Sequence, residues 1–250
     1  MVLLVFGLFS VAFAQPTLCF LADDNGSPSN MYLVPSELCN SMTETFTYVT
    51  VTDNGDTGAY SSDPTWWAEQ DVVIWYAMGS DGFGRLLTEP EFDAANDFIA
   101  GGGHLMVTGP DIIGDPDDII TANLIRSIAI GDGPSGTSAT ITNESSFIAS
   151  GPYGTFAGSI SLAGNSDHDH FIPNAAEGCS EVMSIDESSY SKVMFCDVGQ
   201  GTVTSWGGNS NQLDWWDVDE LKNMCRNWIS FMVTGASLDR VTWGQIKSNY

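Results

Sequence analysis

The sequence predicts a single α/β domain: an open, mostly parallel sheet with helices on both faces and a β-hairpin inserted late in the chain. Two observations carry this. Asp71 to Gly114 reads strand, helix, strand, as DVVIWYAMGSDGFGRLLTEPEFDAANDFIAGGGHLMVTGPDIIG. That order implies neighbouring parallel strands joined by a right-handed crossover. Further on, Glu181–Asp186 and Lys192–Asp197 are two strand-like runs around Glu187-Ser188, the pattern of a hairpin.

Each element has its own signal. Met1 to Ala14 is almost wholly apolar and ends Ala12-Phe13-Ala14, a small-x-small cleavage pattern, so residues 1–14 read as a signal peptide. Leu18 to Ala22 is a short buried strand leading to Asp23-Asp24-Asn25-Gly26. Val34 to Met42 reads as a helix, with Pro35 suited to its first turn. Phe46 to Val51 alternates as a strand does and stops at Asp53-Asn54-Gly55. Thr65 to Gln70 is a short helix, and Val72 to Ala77 the third strand.

Thr88 with Glu91 three residues on forms a capping box. Phe92, Ala95, Phe98 and Ile99 then make a helical stripe, and Gly101-Gly102-Gly103 ends it. His104 to Thr108 is the fourth strand. Ile119, Ile120, Leu124, Ile125 and Ile128 predict a helix over 117–130. Gly131 to Gly164 reads as loops with short strands at 137–142 and 159–162. After the hairpin come the turn Gly199-Gln200-Gly201, a strand at 202–206 and a closing helix at 218–233. The domain is thus expected over 15–234, with 235–250 as a tail.

Composition bounds the partners. There are 32 acidic residues against 7 basic ones, a net charge of −25. Nucleic acid and anionic lipid need Lys and Arg to displace counterions, so neither is expected as a partner. Beyond the leader, no apolar run is long enough for a transmembrane helix. The 5 cysteines permit two disulfides in an exported chain. The hairpin register sets Cys179 opposite Cys196. Cys19 with Cys39 is a second possible pair, and Cys225 reads as a buried thiol.

Ligands of open α/β sheets bind at the carboxyl ends of the strands. Asp23 and Asp24, Asp53, Asp81 and Asp111 each follow one of the first four strands, forming an acidic rim. Crowded carboxylates repel unless a cation or protons neutralise them, and an all-oxygen set suits Ca²⁺. The other reading is that these residues end strands and cap turns. Asp167, His168, Asp169 and His170 form the sharpest cluster, with ligand types suited to Zn²⁺; a hydrogen-bonded loop is the alternative. Trp215 and Trp216, beside Asp and Asn, could stack on sugar rings or simply pack at the sheet margin.

The ordered set FLADDNG, DVVIWYAMG, LTEPEFDAANDFIAGGGHLMVTGPDI, GQGTVTSWGGNS and DELKNMCRNWISFM resembles the class I glutamine amidotransferase-like superfamily, whose fold is flavodoxin-like. Within it the chain looks like a divergent secreted branch found in bacterial surface proteins, and its last pieces resemble the ThuA-like group. The similarity spans Thr17 to Thr234. Active members need a Cys in a tight turn after a strand, a His base and an acid to orient it. Here Pro110 stands at the elbow, so the resemblance implies a pseudoenzyme without amidotransferase activity. The expected protein is a secreted or cell-surface binding or structural domain. Its cofactor would be Ca²⁺ or Zn²⁺, and its partner carbohydrate or another cell-surface component. The alternative is a metal-dependent hydrolase built on Asp167–His170, the metal activating a bound water.

Overall fold

The computed structural model describes residues 15–24, 35–54, 58–77, 87–109, 119–132, 137–162, 169–186, 190–207 and 218–247. The parallel half of the chain contains β1 (Thr17–Asp24), α1 (Pro35–Cys39), β2 (Thr47–Asn54), α2 (Pro64–Trp67), β3 (Val72–Ala77), α3 (Glu89–Ala100) and β4 (His104–Gly109). Next come α4 (Ile119–Leu124), β5 (Ser127–Asp132), β6 (Ser138–Ile141), β7 (Ser150–Gly151), β8 (Gly154–Thr155), β9 (Gly158–Ser161) and β10 (Asp169–Pro173). The chain closes with β11 (Cys179–Ile185), β12 (Ser191–Val198), β13 (Gly201–Gly207) and α5 (Asp219–Lys247).

The sheet order is β2-β1-β3-β4-β13-β12-β11-β6-β9. The first five strands are mutually parallel, as expected. From β13 onward the pairing is antiparallel. The antiparallel part is therefore larger than one inserted hairpin, because β6 and β9 extend it outward and β10 joins β12 to β5.

Strand alternation divides the core in two. Leu18, Phe20, Ile74, Met106 and Trp206 face α1 and α5. Cys19, Leu21, Trp75, Val107 and Val203 face α2, α3 and α4. Trp228 of α5 is fully buried, and its Nε1 donates to Thr204 Oγ1 at 2.8 Å, so the ring is buried without stranding its polar end. The capping box forms: Glu91 accepts from Thr88 N at 2.9 Å and from Thr88 Oγ1 at 2.7 Å. Gly102 at φ 99° supplies the left-handed residue that ends α3.

Four expectations are corrected. The predicted 117–130 helix ends at Leu124, and Ser127–Asp132 is a strand. Arg126 takes φ 60°, which breaks the helix, and Ile130 pairs across to Phe171. Ile119 and Ile128 consequently stay outside, 69% and 64% exposed. The first helix covers only Pro35–Cys39 of the predicted 34–42. The closing helix passes Val233 and continues to Lys247, through the segment read as a tail. Cys19 and Cys39 are separate thiols, because they sit in the two cores on opposite faces of the sheet. Burial pushes both up to about 12. Cys179 and Cys196 do pair across β11 and β12 and are disulfide-bonded, with Cα atoms 3.9 Å apart. Among the described residues, no helix is long and apolar enough to cross a membrane.

Candidate functional site

The carboxyl ends of the parallel strands meet in register. Asp23 lies between Asp53 of β2 and Ala77 of β3, and Asp24 is opposite Asn54. Gly109 of β4 is opposite Gly207 of β13. The residue after Gly109 is Pro110, which lies outside the described residues, as do Asp81, Asp111, Asp167, His168, Trp215 and Trp216. The predicted leader at 1–14 lies outside them too. For Asp23, Asp24, Asp169 and His170, the backbone alone places them. Among the described residues, no three His, Cys, Asp or Glu side chains are grouped to hold a metal.

Asp53 is resolved in full, and it serves the fold. It is 1% exposed. Its Oδ1 accepts from Ala59 N at 2.8 Å, and its Oδ2 accepts from Ser61 N and Ser61 Oγ, both at 2.9 Å. Ser61 Oγ also lies 2.5 Å from Glu91 Oε1. This buried network ties the β2 end to the start of α3. Gly58, at φ 50°, closes it: a side chain there would meet Glu91 Oε1 at 2.8 Å. Asp53 thus follows the turn-capping alternative, and its oxygens are engaged by backbone.

The start of β10 is attached near the Gly109–Gly207 edge. Phe171 pairs with Ser191, and the next residue, Lys192, reaches the end of β13. Lys192 is fully buried, and its Nζ donates to Gly207 O at 3.0 Å. Sequence reasoning missed this lysine. The signal available was one basic residue at the start of a buried strand in a chain with only 7.

Three buried polar atoms, Trp75 Nε1, Thr108 Oγ1 and Ser205 Oγ, have no hydrogen-bond partner among the described residues. They occupy two adjacent register rows just before Gly109 and Gly207, on opposite faces of the sheet: Trp75 and Ser205 share the row of Val107, facing α2, α3 and α4, and Thr108 shares the row of Tyr76 and Trp206, facing α1 and α5. Buried polar atoms usually find a partner, so such a concentration needs a reason. Trp66 and Trp67, by contrast, pack as core: Trp67 is 1% exposed, and its Nε1 donates to Ser61 O at 2.8 Å.

An open α/β sheet does not define an activity; in folds of this kind ligands bind at the carboxyl edge of the strands. No family model matches the chain, and no curated protein is similar to it. Solved structures share the fold. A protein from Bacteroides uniformis described as ThuA-like has a TM-score of 0.59 at 10% identity, over 91% of this chain and 95% of that one. A protein of Salmonella typhimurium LT2 named as cytoplasmic has a TM-score of 0.59 at 14% identity, over 86% and 99% of the two chains. The N-terminal domain named mmIFT52 has a TM-score of 0.58 at 11% identity, over 86% and 97%. The α/β fold of ThuA-like proteins is therefore shared by this chain.

Proposed function

We propose that this protein is a secreted, non-catalytic binding domain, a pseudoenzyme on the ThuA-like fold, with its ligand at the carboxyl edge of the parallel sheet. One observation carries the reading: Trp75 and Ser205, in one row and on one face of the sheet below Gly109, leave buried polar atoms unspent. The next residue in the sequence after Gly109 is Pro110, at the position where an active member of the resembled superfamily would carry its nucleophile. Proline has no side-chain nucleophile and no N–H to hold an oxyanion. The apolar stretch 1–14 and the Cys179–Cys196 disulfide support export to an oxidising compartment.

The ligand proposed here is a divalent cation, Ca²⁺ or Zn²⁺, held by Asp23, Asp24, Asp111 and the Asp167–His170 segment. A glycan or other cell-surface component would lie over Asp81, Trp215 and Trp216. The test is a thermal melt in EDTA, Ca²⁺ and Zn²⁺, on wild type and on Asp24→Asn/Asp169→Asn. A cation bound only by the folded state adds roughly 2.7 kcal/mol at a hundredfold excess over Kd. The double variant should lose that gain while its metal-free melt holds or rises slightly, as repulsion is relieved. Identical melts in all three solutions would refute the cation reading. Metal-dependent turnover of an ester or glycoside would refute the non-catalytic one, in favour of hydrolysis at Asp167–His170.

A further inference from the structure

A second cleft lies away from that rim. Asp197 of β12 pairs with Thr202, which pairs with His104, the amino-end row of the parallel strands. The cleft beside it has a volume of about 290 Å³, between β11, β12, the turn before β7 and α5. Phe147, Phe195 and Phe231 form its aromatic wall. Phe147 stacks on Phe231 at 4.0 Å and 13°, and meets Phe195 edge-on at 5.0 Å and 87°. Phe231 is 52% exposed, although α5 has a buried face available for apolar residues. Ser146 and Ser180 add hydroxyls, and the carboxylate of exposed Asp197 is the sole charge in the lining.

The chemistry of this cleft has one sign. Aromatic faces carry negative quadrupole charge. Asp197 is anionic, no basic residue lines the cleft, and the chain carries −25. Anions are repelled at every range. A neutral polar ligand could use Asn143, Ser146 and Ser180, but it would gain little from the phenylalanine rings and nothing from the charge of Asp197. A cation with apolar substituents gains from all three features: ring faces, a carboxylate and the surrounding field. The volume sits at the small end of ligand pockets, the size of a head group.

We propose that the Phe147–Phe195–Phe231 cleft binds a small organic cation, a methylated ammonium group with an apolar body, its charge directed to Asp197. This site is independent of the rim, so the failure of either reading leaves the other standing. The test is isothermal titration of the whole protein at fixed ionic strength. The probes are choline and its uncharged isostere, in which carbon replaces the quaternary nitrogen. Choline should bind at least about tenfold more tightly than the isostere. Phe231→Ala and Asp197→Asn should each weaken choline binding by roughly three- to tenfold. Asp197 is exposed, so Asp197→Asn should melt with wild type; Phe231→Ala loses the stack on Phe147 and should melt slightly lower while still folding. Equal affinity for choline and the isostere would overturn the proposal, since the cleft would then be merely apolar. Choline binding unchanged in both variants would also overturn it, by placing the cation on the general acidic surface. So would the absence of binding at tens of millimolar choline.

Discussion

Asn227 gives the sharpest test of how the α5 face is held together. It is 1% exposed and sits in mid-helix. Its Nδ2 donates to Ile148 O and to Gly154 O, both at 3.1 Å. Its Oδ1 accepts from Tyr153 N at 2.8 Å. One side chain thereby pins the whole 148–154 turn, which follows directly on Phe147. Gly151 lets the turn come close: a Cβ there would lie 2.7 Å from Asn227 Cγ. Asn227→Ala removes three bonds worth about 1 kcal/mol each, so a loss of about 3 kcal/mol is expected. For a domain of this size that lowers Tm by roughly 6–12 °C. Asn227→Asp keeps the shape but points an anionic oxygen at two carbonyls. It should therefore cost more than alanine, through uncompensated burial of charge. Calorimetry on the three proteins decides. An aspartate variant as stable as wild type, or milder than alanine, would refute the hydrogen-bond account and leave a packing role only.

Two further outcomes are expected. The disulfide closes a loop with a sequence separation of 17, so Cys179→Ala/Cys196→Ala should lose about 3 kcal/mol; a wild-type melt indifferent to reductant, with both thiols free in a non-reducing peptide map, would contradict this. Burial works upward on the Glu44 carboxyl, but bonds from Ser230, Tyr153 and the backbone N–H groups of Glu44 and Thr43 outweigh it and hold it below the usual carboxylate value. A depressed folded value means stability that is present above the unfolded value of about 4.3 and lost as pH falls through the folded one. Urea melts should show Glu44→Gln roughly 1 kcal/mol less stable at pH 7, with the gap closing in acid; a gap constant with pH would defeat the argument.

The sequence by itself determined the parallel half of this protein and the covalent link in the other. Val72–Ala77, Thr88 with Glu91, and His104 were legible because a continuous apolar run, a capping box and a glycine stop are local signals that tertiary context rarely overrides. Cys179 and Cys196 were legible because a hairpin's register follows from its turn. Tertiary structure decided the rest. The isoleucines at 119, 120, 125 and 128 fit a helix by spacing, but Arg126 and the partner strand β10 divided them among α4, the turn after it and β5. Asp53 reads in the sequence as a rim ligand or as a turn cap, and only the path of the turn, which returns the backbone N–H groups of Ala59 and Ser61 to its oxygens, shows the cap. Lys192 shows in the sequence as a rare basic residue at a strand start, but its contact with Gly207 O does not; the unspent polar atoms of Trp75, Thr108 and Ser205 and the meeting of Phe147, Phe195 and Phe231 have no sequence signature. Periodicity reports which face a residue belongs to. It does not report which residues, far apart in the chain, the sheet will bring to one edge, since that depends on strand order and on packing across the whole fold.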